Sequence, residues 1–391
     1  MAELNAVMVA SKPQLQELVD DVRACGRMGL DTEFLREKTY FARLCLAQVS
    51  TVGHVYLVDP VNGLDVGPLA ELLAETSIEV VVHAGWQDLQ LFYQLSGVVP
   101  ANVFDVQLAA GFAGYSASLG YGKLVQDVLG VTLEKGEAYS DWCRRPLTDR
   151  QLDYAADDVR YLLPAADRLK QQLAELGRQR WLADEMRSLE AADTYAPDEE
   201  VWRKVSGQGA LSPRQTAVLR ELARWREEAA AQRDLPRGWL VKDVTLLEIA
   251  RRAPSSLAEL KAIRGLEPRE AERWGAAILA TVEKGKHAPA VERAPVPSKT
   301  IQNRARMISG LCDALLRARA EQAGIAPELV YARADLDALL FAVLAKRETG
   351  ATRLMQGWRR ELAGEPVVAL ASGRCALHVV DTPPYIVEVE I

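Results

Sequence analysis

The chain has 391 residues, 49% hydrophobic and 26% charged, a composition that suits two or three soluble domains. No stretch approaches the ~18 consecutive apolar residues of a membrane span, and residues 1–10 lack the basic start and long apolar run of a signal peptide. The net charge of −7 argues at first against a polyanionic partner, but it is unevenly spread. Residues 1–195 hold 17 Lys+Arg against 28 Asp+Glu, and residues 206–290 hold 15 against 11. An acidic half that needs cations, followed by a basic module, fits metal chemistry joined to an anion-gripping part; composition drift is the plain alternative. Cys25, Cys45, Cys143, Cys312 and Cys375 lie far apart without paired spacing. That argues against a zinc site and a disulfide framework, so a reducing cytoplasm is expected.

In chain order, Ala6–Val9 reads as a short strand. Ser11 caps a helix to about Val22, with Pro13 in its first turn. Met28–Thr32, Leu44–Val49 and His54–Val58 read as strands, the last two joined by a hairpin-like turn, so an antiparallel meander is expected. Strands at 80–83 and 103–105 then alternate with helices at 69–73 and 86–95, the signature of parallel β-α units. From Ser118 the chain is helical. Residues 136–141 form a polar loop, Thr148 caps a helix through Tyr161, and a break falls at Pro164. Residues 191–200 read as a linker, 210–285 and 300–362 as helical blocks separated by a Pro/Ala-rich break at 287–297, and the tail from 367 as one or two strands.

Gly29-Leu-Asp31-Thr-Glu33 sets two carboxylates one residue apart. On a strand they share a face, where they repel unless a cation lies between them; hard oxygen donors suit Mg²⁺ or Mn²⁺. The alternative is a strand end with two solvated acids. Asp88, one turn into a helix after a buried strand, stands where ligands collect in such sheets, or is simply favoured by the helix dipole. His83 at that strand's end is a tempting ligand, but a lone histidine there is more often structural. Tyr154 and Asp158, at i and i+4, project from one helical face. Asp153 and Asp157 sit close by, and spacing alone does not choose among these acids.

The ordered set Asp31-x-Glu33, Asp88, Tyr154-x-x-x-Asp158 resembles the DEDD superfamily of 3′→5′ exonucleases, in the subgroup with a tyrosine in the last motif. Leu44-Cys-Leu-Ala-Gln-Val-Ser50, Phe104-Asp-Val-Gln107, Ser140-Asp-Trp142 with Arg145-Pro-Leu147, and Gln151-Leu-x-Tyr154-Ala-Ala-Asp-Asp-Val159 narrow the resemblance to the ribonuclease D family. Leu235-Pro-Arg-Gly-Trp239, Leu246–Ala250 and Ile263-Arg-Gly-Leu266 resemble an HRDC domain, and residues 300–365 resemble a more diverged copy.

The resemblance implies an α/β RNase H-like mixed-sheet exonuclease domain over 1–195, all-α HRDC domains at 206–290 and 298–365, and a strand-like tail at 366–391. It implies that Asp31, Glu33, Asp88 and Asp158 hold two divalent metals. Tyrosine is a poor base at neutral pH, so Tyr154 is expected to orient the attacking water rather than take its proton. The implied activity is removal of single nucleotides from RNA 3′ ends as 5′-monophosphates, with tRNA precursors as substrate. A DNA exonuclease and a non-catalytic RNA-binding adaptor are the competing functions. Lys135 and Arg145 are candidates for the 3′-terminal phosphates, with a solvated surface charge as the alternative. Arg251, Arg252, Lys261, Arg264, Arg269 and Arg273 are candidates for a phosphate-gripping face, or else ordinary exposed helix residues. Trp239 and Trp274 are expected in the core.

Overall fold

The computed structural model describes residues 6–134, 140–195, 200–292 and 297–391. Lys135, most of the expected loop at 136–141 and parts of both expected linkers lie outside the described residues. The chain divides into two compact units, one of residues 1–33, 44–195 and 297–391, the other of residues 34–43 and 196–296.

The first unit is built on a six-stranded mixed sheet in the order β1-β4-β3-β2-β5-β6. Its strands are β1 (Ala6–Val9), β2 (Arg27–Leu35), β3 (Arg43–Ser50), β4 (Val55–Val58), β5 (Glu79–Val82) and β6 (Val103–Asp105). The β3–β4 hairpin is antiparallel, as expected. Strands β2, β3 and β4 are neighbours in sequence order, as the expected meander requires, but β1 does not extend it: it lies at the sheet's edge, parallel to β4, with Ala6 opposite Val55. Helix α1 (Lys12–Cys25) is the reason. Leu15, Leu18, Val19 and Val22 bury one stripe of it, and this packed helix carries the chain across the sheet before β2 begins. From β2 onward the expected alternation holds, with β5 parallel to both β2 and β6.

Helices α2 (Gly67–Leu73), α3 (Trp86–Ser96), α4 (Val106–Phe112) and α5 (Tyr121–Leu129) follow. The Thr148 side chain and Gln151 form a capping box that starts α6 (Asp149–Arg160). The break after α6 comes at Tyr161, not at Pro164, which sits in the first turn of α7 (Leu162–Glu175). A proline there removes no helical hydrogen bond, so the turn tolerates it.

The block at 299–371 packs within this same unit. Arg178 donates to the carbonyls of Phe112 and Gly324, each at 2.7 Å. Arg359 pairs with Glu185, and the Trp358 ring stacks on Trp181 at 5.1 Å. The tail forms an antiparallel hairpin of β7 (Cys375–Val379) and β8 (Ile386–Glu390).

The second unit is helical. Its main helices, Pro213–Arg233, Asp243–Arg252 and Pro268–His287, close on a core that includes Leu219, Leu222, Ile249, Leu260 and Ile278. Residues 34–43 belong to this unit: the Asp234 carboxylate accepts from the Tyr40 and Phe41 amides at 3.0 Å, and the Tyr40 hydroxyl donates to Glu227. Trp274 is in the core at 7% exposure, but Trp239 is 59% exposed, contrary to expectation. Its helix, Arg237–Leu240, is one turn long and buries Leu240 instead.

Candidate active site

Strands β2, β5 and β6 run parallel and end at the same edge of the sheet, where chains in such sheets present ligand-binding groups. Asp31 and Glu33 extend from β2 at that edge. Gly29, two residues earlier, lets α7 come close: a Cβ there would collide with Ser50 Oγ and lie 3.1 Å from Leu162 Cβ. The Ser50 hydroxyl in turn donates to the Val159 carbonyl at 2.8 Å. These contacts hold the end of α6, and with it Asp158, against β2. Asp88 lies in the first turn of α3 and is buried, and the Thr32 hydroxyl donates to its Oδ1.

The four carboxylates feel one another. Burial pushes Asp31 well above the usual carboxylate range, and the charges of Asp88, Asp158 and Glu33 add to it. Burial, then Asp158 and Asp88, push Glu33 up to about 8. Burial takes Asp158 to about 7, with Asp157 adding to the rise and a hydrogen bond from Tyr154 opposing it. Asp88 rises to about 6 through burial, against the Thr32 hydrogen bond. Asp157 points elsewhere, to Arg160 at 2.9 Å. Burial and the charges of Asp158, Glu33 and Asp31 raise the Tyr154 phenol well above its ordinary value, so it stays protonated and donates to Asp158.

Sequence reasoning missed one neighbour, Tyr121, and left the surroundings of others undescribed. Tyr121 donates to the Asp157 carbonyl at 3.2 Å, and burial plus Asp158 and Asp31 raise its phenol strongly. Nothing in its spacing marked it. Trp142, 2% exposed, lays its ring 5.9 Å from that of Tyr154. Arg145 is not a solvated charge: its side chain is 18% exposed. It grips both oxygens of Asp59, at 2.6 and 2.7 Å, and the carbonyls of Trp142 and Cys45, each at 2.7 Å. Cys45 and Cys143 form a disulfide with Cα atoms 4.9 Å apart, which corrects the expectation of unpaired thiols. Folding brings together two residues that are 98 positions apart, and their spacing carried no sign of it. His83 is structural: its Nε2 meets the Leu119 carbonyl at 2.9 Å and its ring packs on Tyr121.

On the second unit, Arg251 and Arg252 both pair with Glu248, at 2.7 and 2.6 Å. Lys261 lies 3.8 Å from Glu272, Arg273 covers the Trp274 ring, and Arg264 is exposed.

Among the described residues no group of three or more His, Cys, Asp or Glu stands, as placed, so that it could hold a metal ion. The donor set nonetheless fits divalent cations. Four hard-oxygen groups, raised by burial and by one another's charge, form a donor set whose negative charge a divalent cation would offset.

The fold and this acidic cluster define a 3′→5′ exonuclease. Residues 6–174 match the 3′-5′ exonuclease family, and residues 215–282 match the HRDC domain. The chain is 36% identical to the ribonuclease D of Gluconacetobacter diazotrophicus over 386 residues, 96% of this chain and 95% of the relative. It is 32% identical to that of Bartonella henselae over 380 residues, 95% and 91% respectively. The crystal structure of Escherichia coli RNase D, an exoribonuclease involved in structured RNA processing, superposes with a TM-score of 0.80 at 34% identity, covering 95% of this chain and 99% of that one. The catalytic core of RRP6 from Trypanosoma brucei gives 0.54 at 25% identity, covering 73% and 80%. The chain belongs to the ribonuclease D family and is an exoribonuclease whose fold implies the use of a divalent metal. No helix among the described residues is long and apolar enough to cross a membrane.

Proposed function

We propose that the chain trims structured RNA, tRNA precursors foremost, from the 3′ end, releasing one 5′-monophosphate per cycle. Asp31, Glu33, Asp88 and Asp158 hold two cations, Mg²⁺ or Mn²⁺, on this reading. When bound, such ions offset the charge on the attacking and leaving oxygens and make water a better nucleophile at neutral pH. The protein's own part is positional. Strand β2 presents two of the carboxylates together, and α3 and α6 bring the others. Tyr154, protonated and tied to Asp158, orients the attacking water by hydrogen bonding rather than removing its proton.

The observation that carries this is the electrostatic convergence of four acids from three separate stretches of chain. It also disfavours the RNA-binding adaptor, which has no use for such a cluster. The basic residues of the HRDC unit, Arg264 and Lys261 among them, hold the RNA body by its phosphates. The enzyme acts in the cytoplasm on this reading. The Cys45–Cys143 bond pulls the other way, and counting thiols on protein isolated under alkylating conditions checks it.

The test is single-nucleotide release from matched RNA and DNA oligonucleotides with Mg²⁺ and with excess chelator. Release from RNA that stops in chelator is expected. Full activity in chelator refutes the metal mechanism, and a preference for DNA refutes the substrate.

A further inference from the structure

Asp105 is a buried carboxylate outside the cluster, at the end of β6 and 6% exposed. Four backbone amides converge on it. Its Oδ1 accepts from Gln107 at 2.9 Å and Leu108 at 3.3 Å, which caps α4. It also accepts from Ala84 at 3.1 Å, and Oδ2 accepts from Gly85 at 3.1 Å. Ala84 and Gly85 form the turn between β5 and α3. The turn is strained: Ala84 holds φ of 52°, a left-handed conformation that residues with a Cβ rarely adopt. It is also tight, because a Cβ on Gly85 would lie 2.6 Å from Val82 Cγ2. Gly85 is the N-cap of α3 and has no side chain with which to cap it. Asp88 is the third residue of that helix.

We propose that Asp105 is a positioning residue: by holding the Ala84–Gly85 turn it sets the direction from which α3 delivers the Asp88 carboxylate to the cluster. A helix cap needs only one acceptor oxygen, whereas the second oxygen, facing Gly85, has no part in capping α4. Removing it turns Asp88 away from the ions and leaves the RNA-binding surfaces as they are. The proposal rests on the assignment of Asp88 as a metal-holding group.

Asp105→Asn isolates this role. The amide oxygen still caps α4, while an NH₂ group replaces the acceptor facing Gly85. In the full chain, Mn²⁺ binding is followed by titration calorimetry and by the paramagnetic signal of free Mn²⁺, beside melting temperature and the kcat and KM for a single-stranded oligoribonucleotide. Asp105→Asn is expected to weaken Mn²⁺ binding about tenfold, the scale on which groups supporting a metal's ligands act. Its kcat falls at low metal and recovers at high metal, with KM for RNA unchanged. Asp105→Asn/Ala84→Gly relieves the left-handed turn and is expected to regain at least about threefold of the lost affinity, since glycine adopts that conformation freely. The double variant also serves if the single one does not fold. Wild-type Mn²⁺ binding by Asp105→Asn, or no recovery in the double variant, overturns the proposal. Asp88→Asn is the separate control: if it binds Mn²⁺ as the wild type does, the assignment of Asp88 fails, whatever Asp105 does.

Discussion

Replacing Arg145 by alanine separates its two possible uses, gripping the substrate or bracing the protein. Its side chain is 18% exposed and that of its partner Asp59 is 9% exposed. Removing the guanidinium leaves that carboxylate with a backbone donor from Val61, and removes the hydrogen bonds it gives to the Trp142, Arg144 and Cys45 carbonyls. Breaking a buried ion pair from one side costs about 3–5 kcal/mol, and partial solvent access places Arg145→Ala near the low end, about 3 kcal/mol. Arg145→Lys restores a charge without the planar fork and is expected to recover less than half of it. Urea unfolding of reduced protein, read as a shift in midpoint at constant slope, measures the loss. Burial alone would raise Asp59, but the hydrogen bonds and charge of Arg145 outweigh it and hold the carboxyl below its usual value. The pair therefore stabilises the fold above the unfolded pKa, roughly 4, and the gap between wild type and variant closes as pH falls through the folded pKa. A stability loss under about 1 kcal/mol, combined with a tenfold rise in KM for RNA, would refute the bracing role and restore the phosphate contact.

Asp158→Asn is expected to lower kcat by at least about a thousandfold with RNA binding largely intact, while Asp157→Asn, which removes only the partner of Arg160, stays within about threefold. Equal damage from the two in single-turnover assays would mean that the wrong acid has been chosen. Glu33 has a folded pKa near 8 against 4.5 for the free group, so its contribution is present below 4.5 and is lost as pH rises through 8. Metal-free protein should therefore melt lower at about pH 8.5 than at about pH 6, and the rise in melting temperature on adding Mg²⁺ should be larger at the higher pH; an equal rise at both contradicts the cluster electrostatics. Arg251→Glu with Lys261→Glu should weaken RNA binding and flatten its dependence on salt, and an unchanged slope counts against the grip.

The parts of the site that follow local periodicity were open to inspection in the sequence. Asp31 and Glu33 declare themselves through the two-residue repeat of a strand, and Tyr154 with Asp158 through the four-residue repeat of a helix. Choosing Asp158 over Asp157 needs to know where Arg160 points, which is a rotamer and packing question. Arg145 looked available because a sequence shows its charge but not Asp59, 86 residues away, closing on it. The parallel placement of β1 was hidden for a similar reason: a helix between two strands leaves open which edge the second one joins. Trp239 was misjudged on residue type alone, where a one-turn helix decides which neighbour goes inward.

The Cys45–Cys143 bond has a topological result. It closes a loop of polypeptide that carries Asp88 and Asp105, while Asp31, Glu33, Tyr154 and Asp158 lie on the arms outside it. A protease nick anywhere within that loop yields two pieces that migrate as one species until a thiol reductant is added. Cut enzyme in oxidising buffer can thus keep all four acids tethered in a single molecule, and the same cut under reduction can let one of them drift away.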